Sequence, residues 1–449
     1  MMTDFTIILR SLRLRLFSTI TTALTVAVAI CLLLVLLSLR DASRKAFDRG
    51  SGNMHLLVSA DSSPMGSVLN AIFYANPPAR ALKWAACQEL LKAYPVDYQI
   101  PIQQGDTYRS FPVVATTPGF FTQFKPDPES GWELTQGNVF KSEFEIVAGA
   151  AAAQALKLKL GDSFYITHGV SDFSDRDPEE AEAAGAAAPK SQFPTLKMAI
   201  VQLHRYSKYK VVGILKRTGT SHDRALFTDL NSTWIVHAHQ NRRMKDPTVT
   251  HTGVADLKDA DKLITGVYVR FKTPPGMSES PVLGAVYEEL KRGHPEITVA
   301  VPAVEIDRLF SIVSNIDEIF IALAAVVMVS SGIAIMLALY NSMEQRRRQI
   351  AILRVMGCSQ ARVFGLVVTE AAVIGLLGAM AGVALSLIAN QISAKIIDAK
   401  LGLIIQPALA AEPTMWVVLA AIVLAGVAGI VPALMAYRTP VARSLRPMG

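Results

Sequence analysis

Apolar and polar positions alternate along this chain in two different rhythms. Four runs without a charged residue, 16–39, 319–343, 371–394 and 413–437, hold 24, 25, 24 and 25 residues. Each is long enough to cross ~30 Å of hydrocarbon as a helix. A fifth uncharged run, 62–79, contains Pro64, Pro77 and Pro78. Breaks of that kind leave backbone groups unpaired in lipid, so it is not read as a span.

Between the first and second runs the pattern shortens. "MHLLVS" (54–59), "YKVVGIL" (209–215) and "GVYVRF" (266–271) predict strands, while 79–94 and 281–293 predict helices. Residues 41–310 are enough for a folded α+β unit. Ile306, Leu309, Val313, Ile316 and Phe320 recur at spacings of three and four, so the helix of the second span is expected to begin outside the bilayer. "RDASRKAF" (40–47) can extend the first span outward in the same way. Together the two would form a stiff stalk; the alternative is that these stripes only pack against the underside of the domain. Residues 174–194, rich in Ala, Glu and Pro, predict a loop without a core of its own. The expected fold is an α+β membrane protein: four transmembrane helices, with a large mixed α/β extracytoplasmic domain inserted between helices 1 and 2.

Composition agrees with that class. The chain has 449 residues, 51% hydrophobic and 18% charged, and its mean hydropathy is +0.33, values that point to a membrane protein. The formal charge of +7 is not spread evenly. Residues 1–15, 341–362 and 438–449 carry +2, +4 and +3, and the rest of the chain nets −2. Basic segments beside spans orient both termini and the 344–364 loop toward the cytoplasm, and no nucleic acid is needed to explain them. The first run is longer than a signal-peptide core and is followed by Arg40, Asp41, Arg44 and Lys45, so it is read as a retained span. Cys31, Cys87 and Cys358 fall in separate compartments and predict no disulfide.

The resulting partition is a cytoplasmic amphipathic amino terminus (1–15), spans at 16–39, 319–343, 365–394 and 413–437, and an outer domain with stalk helices (40–318). A cytoplasmic elbow (344–364), a short outer loop (395–412) and a cytoplasmic tail (438–449) complete it.

The elbow carries the most information. Arg346, Arg347 and Arg348 stand side by side, and each would cost ~2.5–3.5 kcal/mol at a bilayer centre, so they must lie outside hydrocarbon. Yet no helix breaker follows, and Ile350, Leu353 and Met356 keep a helical stripe. The helix is expected to project into the cytoplasm. Gly357 suits a left-handed C′ position and Ser359 an N-cap before "QARVFGLVV" turns back. Within the spans, Gly378 and Gly382, with Gly375, Gly426 and Gly429, allow close helix contact inside one protomer or at a dimer face. Glu370, at the cytoplasmic edge of the third span, can pair or reach the interface, with a proton-relay role as the sharper alternative.

Catalytic motifs do not stand out. No "GK" dipeptide occurs, so there is no phosphate-binding loop, and GxSxG, HExxH and CxxC are also missing. Ser221, His222 and Asp223 are adjacent, whereas a catalytic triad needs residues that meet from different segments; "TGTSHDRALF" reads as a turn entering a strand. His237 and His239 lie two apart on an expected strand, which would put both rings on one face, with His222 or His251 as a third imidazole. Such a set could take zinc or another transition metal, but a solvated strand face is the preferred reading, since no carboxylate or Cys completes a recognisable spacing, and no metal site is assigned.

"RRRQIAILRVMG" (346–357) resembles the Arg-rich stretch that leads into the coupling helix of the MacB/FtsX-like permeases of ABC transporters, the mechanotransmission or type VII class. "GAAAAQALKLKLGDSFYI" (149–166), the closing "GIVPALMAYRTPVARSLRP" and the amino-terminal "LRSLRLRLFSTITTALTVAVAI" are similar to other parts of that family. Gln345, Gln349 and Cys358 depart from its usual residues. The resemblance implies a non-enzymatic permease subunit in a bacterial inner membrane, working as a homodimer with a separate ATPase that holds the ATP and Mg. No cofactor is implied in this chain itself. Arg354, Gly357, Cys358, Ser359, Gln360 and Arg362 would face the ATPase, and Arg346, Arg347 and Arg348 would flank it or bind anionic lipid. The cargo would be a lipoprotein, peptide, lipid or hydrophobic drug, with a periplasmic or outer-membrane partner. The alternative within the same family is a non-transporting scaffold that activates a cell-wall hydrolase.

Overall fold

The computed structural model describes residues 4–127, 131–168, 202–203, 207–277, 279–401 and 407–438. The Ala/Glu/Pro-rich stretch 174–194 lies outside them. The chain groups into two compact units: residues 1–44, 312–397 and 405–449 form one, and 45–311 with 398–404 form the other.

The first unit is helical. A short helix, Asp4–Arg13, precedes the first long helix, Leu16–Gly50. The second long helix, Pro302–Val355, has 54 residues and the third, Gln360–Leu401, has 42. The fourth apolar run forms two helices, Ala411–Ala428 and Ile430–Tyr437. They meet at Gly429, whose N–H donates to both Ala425 O and Gly426 O at 3.0 and 3.1 Å. Pro432 explains the join: lacking an N–H, it cannot bond the carbonyl four residues back. Among the described residues, four helices, Leu16–Gly50, Pro302–Met343, Gln360–Ile397 and Ala411–Tyr437, are long and apolar enough to cross a membrane.

Glycines set how closely these helices approach. A Cβ on Gly378 would sit 2.7 Å from Val26 Cβ, and one on Gly382 would sit 2.8 Å from Ala27 O. The third long helix therefore rests its glycine face directly on the first, within one chain. Farther along, Ser38 Oγ donates to Asn390 Oδ1 at 2.9 Å. Gly375 meets Ala425 and Gly429 meets Ala371 in the same fashion, seating the third helix against the fourth run. Outward-facing side chains are large and apolar, as in Phe17, which is 84% exposed, Met380 and Trp416. Water would reject such a surface, whereas acyl chains match it.

The second unit is built on a 12-stranded mixed sheet with a separate strand pair, Leu82–Lys83 with Leu263–Ile264. Strand Leu56–Ser59 lies between Gly266–Phe271 and Thr298–Ala300, antiparallel to both. Gly266–Phe271 pairs in turn with the long strand Val96–Tyr108. Alternate residues of these strands feed opposite cores. Leu57, Ile100 and Tyr268 join one cluster, while Leu56, Val58, Val267 and Val269 join another under helix Leu283–Gly293. Both sheet faces are covered, which is why the central strands read as unbroken apolar runs. The predicted helix at 79–94 shortens to Trp84–Leu91 because Leu82–Lys83 enters the strand pair.

The glycine seam should not tolerate volume. Gly382→Val is expected to destabilise the detergent-solubilised chain by about 1–3 kcal/mol. Gly426→Ala, where an added Cβ meets nothing within 4 Å, should be neutral or slightly stabilising; thermal unfolding compares the two.

Candidate functional site

The elbow between the second and third long helices is a four-residue turn fixed by its own backbone. Met356 N–H still bonds Ile352 O at 3.0 Å and Gly357 N–H bonds Arg354 O at 3.1 Å. Gly357 then adopts φ +95°, a conformation L side chains rarely enter. Ser359 Oγ accepts from Arg362 N–H at 3.2 Å and Ser359 O accepts from Val363 N–H at 3.2 Å, so the next helix is capped as it starts. Underneath, Met343, Ile350, Val363, Val367, Ala433 and Ala436 are buried together, with Cys358 and Phe364 packed on them. The turn is thus braced against the end of the fourth run.

Its outer surface is different. Gly357, Ser359 and Arg362 are exposed, while Arg354, Cys358 and Gln360 are half-buried. Val355 and Met356 are 64% and 72% exposed, with Ile352 beside them. The tip of the elbow is thus apolar and ringed by polar groups. Periodicity assigned Met356 to the stripe but could not show that the tip faces outward. Arg346, Arg347 and Arg348 lie on the helix backbone; their side chains fall outside the described residues.

The amino-terminal helix fastens beside the elbow. Arg15 Nη2 donates to Ser342 O at 3.0 Å, and Ser11 Oγ donates to Glu370 Oε1 at 2.6 Å. Glu370 is 4% exposed, so this carboxylate ties two helices together at the edge of the third span.

In the second unit, Ser221, His222 and Asp223 form a single 3-10 turn and point three ways. Ser221 Oγ donates to Ile72 O at 2.5 Å. Asp223 accepts from the N–H groups of Thr218 and Gly219 at 2.9 and 2.8 Å. His222 lies inside a cage of Phe120, Phe124, Trp132 and Phe227, with ring centroids 5.5 to 6.5 Å away. Its Nε2 is 3.2 Å from Gly50 O and its Nδ1 is 2.6 Å from Tyr74 Oη. Since a carbonyl only accepts, Nε2–H donates to Gly50 and Nδ1 accepts from Tyr74: one neutral tautomer satisfies both. Burial holds the ring neutral and pushes its pKa down to about 4, against a smaller opposing effect of the Gly50 carbonyl. Burial likewise raises the Asp223 carboxyl, opposed by its N–H partners.

His237 and His239 correct the strand expectation. "STWIVHAHQ" lies in helix Leu230–Lys245, opened by Asp229, whose carboxylate accepts from Asn231 N–H at 2.9 Å. Trp234, Ile235 and Val236 suggested a strand; the Asp N-cap and the basic last turn, Arg242, Arg243 and Lys245, were the helix signals. Two residues apart on a helix lie on nearly opposite faces. His237 Nε2 is 3.7 Å from Asp106 Oδ2, whereas His239 Nδ1 is 3.1 Å from Thr252 Oγ1. Among the described residues no three His, Cys, Asp or Glu side chains come together to hold a metal ion.

Comparison with known proteins places these elements. Residues 19–280 match the family profile described as the MacB-like periplasmic core domain, and residues 321–441 match the FtsX-like permease C-terminal profile. Among solved structures, the chain is similar to the extracellular domain of the noncanonic ABC-type transporter YknZ from Gram-positive bacteria. The identity is 10% and the TM-score 0.26, covering 55% of this chain and 99% of that one. No curated protein matches significantly.

His222 gives a pH signature. A base whose folded-state pKa lies below its unfolded value of about 6.5 binds its proton more readily when unfolded. Its contribution to stability is complete above pH 6.5 and is lost as pH falls toward about 4. The loss amounts to roughly 3 kcal/mol. In chemical denaturation of the full chain, His222→Gln should flatten the fall between pH 6.5 and 4 by up to one proton; equal slopes would contradict the assigned burial.

Proposed function

Because this chain belongs to the MacB/FtsX-like family of ABC transporter permeases, we propose that its elbow receives ATP-driven motion from a separate ATPase. The second long helix then carries that motion to the α/β unit. One observation supports this most directly: Pro302–Val355 is a single helix of 54 residues. At 1.5 Å per residue it is about 80 Å long, well beyond the ~30 Å of hydrocarbon. One of its ends is the exposed tip at Val355, and its other end packs through Ile306 and Phe310 into the aromatic core of the α/β unit.

ATP and its Mg²⁺ are held by the partner chain. Arg354, Gly357, Cys358, Ser359, Gln360 and Arg362 form the receiving surface, with Val355 and Met356 as its apolar anchor. Arg346, Arg347 and Arg348 keep the helix end on the cytoplasmic side of a bacterial inner membrane and meet anionic lipid. Two copies of this chain act as a homodimer. The cargo, a hydrophobic, peptide or lipoprotein-type molecule, is handled by the extracytoplasmic unit, since four apolar helices per chain favour transmission of movement over a wide channel.

Two substitutions test the receiving surface in the complex reconstituted with the ATPase that co-purifies with it. Gly357→Pro imposes φ near −65° where φ is +95° and should abolish cargo-stimulated ATP hydrolysis. Met356→Asp places a charge where burial of the methionine contributes about 1.5–3 kcal/mol, and should weaken ATPase association at least tenfold in a pull-down titration. Wild-type behaviour in both would rule out the elbow as the contact.

A further inference from the structure

The carboxyl end of the first long helix is held by a hydrogen bond and by ring contacts. Its last residue, Gly50, presents one of the carbonyls that a helix leaves without an internal partner, and His222 Nε2–H reaches it at 3.2 Å. The same ring accepts from Tyr74 Oη at 2.6 Å. Tyr74 has φ +56°, a left-handed conformation that is rare for a bulky residue and persists only where its surroundings enforce it. Its neighbours serve the same junction. Ile72 O accepts from Ser221 Oγ at 2.5 Å, and the Phe73 ring lies 4.5 Å from Phe47 of the first long helix. Phe47 also meets Phe310 of the second long helix edge-on, with centroids 5.6 Å apart.

Residues 72–74 thus touch the first long helix and the 3-10 turn at 221–222, and the first long helix touches the second. They continue a short helix, Pro64–Ala71, whose terminal carbonyl, Ala71 O, accepts from Gln104 Nε2 at 2.9 Å and Tyr268 Oη at 2.8 Å. Those two residues sit on adjacent central strands. Two glycines hold the approach: a Cβ on Gly50 would sit 2.7 Å from the Phe73 ring, and one on Gly52, at φ +58°, would sit 2.2 Å from Lys125 O.

We propose that Tyr74 and His222 form the latch through which displacement of the first long helix is passed to the sheet. They act as positioning residues, neither touching cargo nor nucleotide. This rests on the mechanotransmission reading above. The latch is a chain of directional bonds, Gly50 O to His222 to Tyr74, backed by the contacts of Phe47 with Phe73 and Phe310. The helix end cannot shift along its axis without moving the 72–74 segment or breaking a bond inside an apolar cage, where an unpaired group costs more than in water.

The test uses the full complex in nanodiscs, with noncanonical-amino-acid spin labels at Asn76 and Glu133 and inter-label distances measured with and without a non-hydrolysable ATP analogue. Wild type is expected to shift. Tyr74→Phe, which removes only the hydroxyl, should keep ATP turnover and lower the melting temperature by a few degrees at most, the cost of one unpaired ring nitrogen, while reducing the shift at least threefold, and His222→Gln should do the same. No shift in wild type would overturn mechanotransmission itself. A full shift in both variants would overturn the latch and leave that reading standing. Loss of melting temperature and turnover together with the shift would also overturn it, marking both residues as packing groups only.

Discussion

In hydrocarbon a backbone N–H or C=O has no water to bond, so every such group must be satisfied within its own segment. That constraint makes the apolar runs continuous helices. The second long helix does not stop where its apolar run begins or ends; it continues to Pro302 on one side and Val355 on the other. Where Pro432 cannot donate, the break is short: the Gly429 N–H still bonds Ala425 O and Gly426 O, and the ladder resumes with Ala433 N–H to Gly429 O.

Much of this was legible in the sequence because the signals are local. Uncharged length gave the spans, β-branched runs gave the central strands, and Gly357 with Ser359 gave the turn. The stripe from Ile306 foretold that the second long helix begins well before its apolar run, at Pro302. The histidines at 237 and 239 were misplaced because aromatic and β-branched neighbours outweighed a single Asp cap; the helix is settled by packing of Leu230 and Trp234 against the sheet. The cage around His222 could not be read at all. Its members come from positions 50, 74, 120, 124, 132 and 227, and no periodicity links them.

The glycines divide by what they are for. Gly378 and Gly382 exist for the neighbour they admit, and an added methyl collides with the first long helix. Gly357 exists for its dihedral angle alone, since an added Cβ there would meet nothing within 4 Å. That turn is fixed in conformation and open on its outer side.

The unbroken second helix also carries phase. An α-helix turns about 100° per residue, so one residue added between Ile306 and Phe310 would swing one of these two side chains off the core that both now meet. The start of this helix is therefore fixed in azimuth as well as in length.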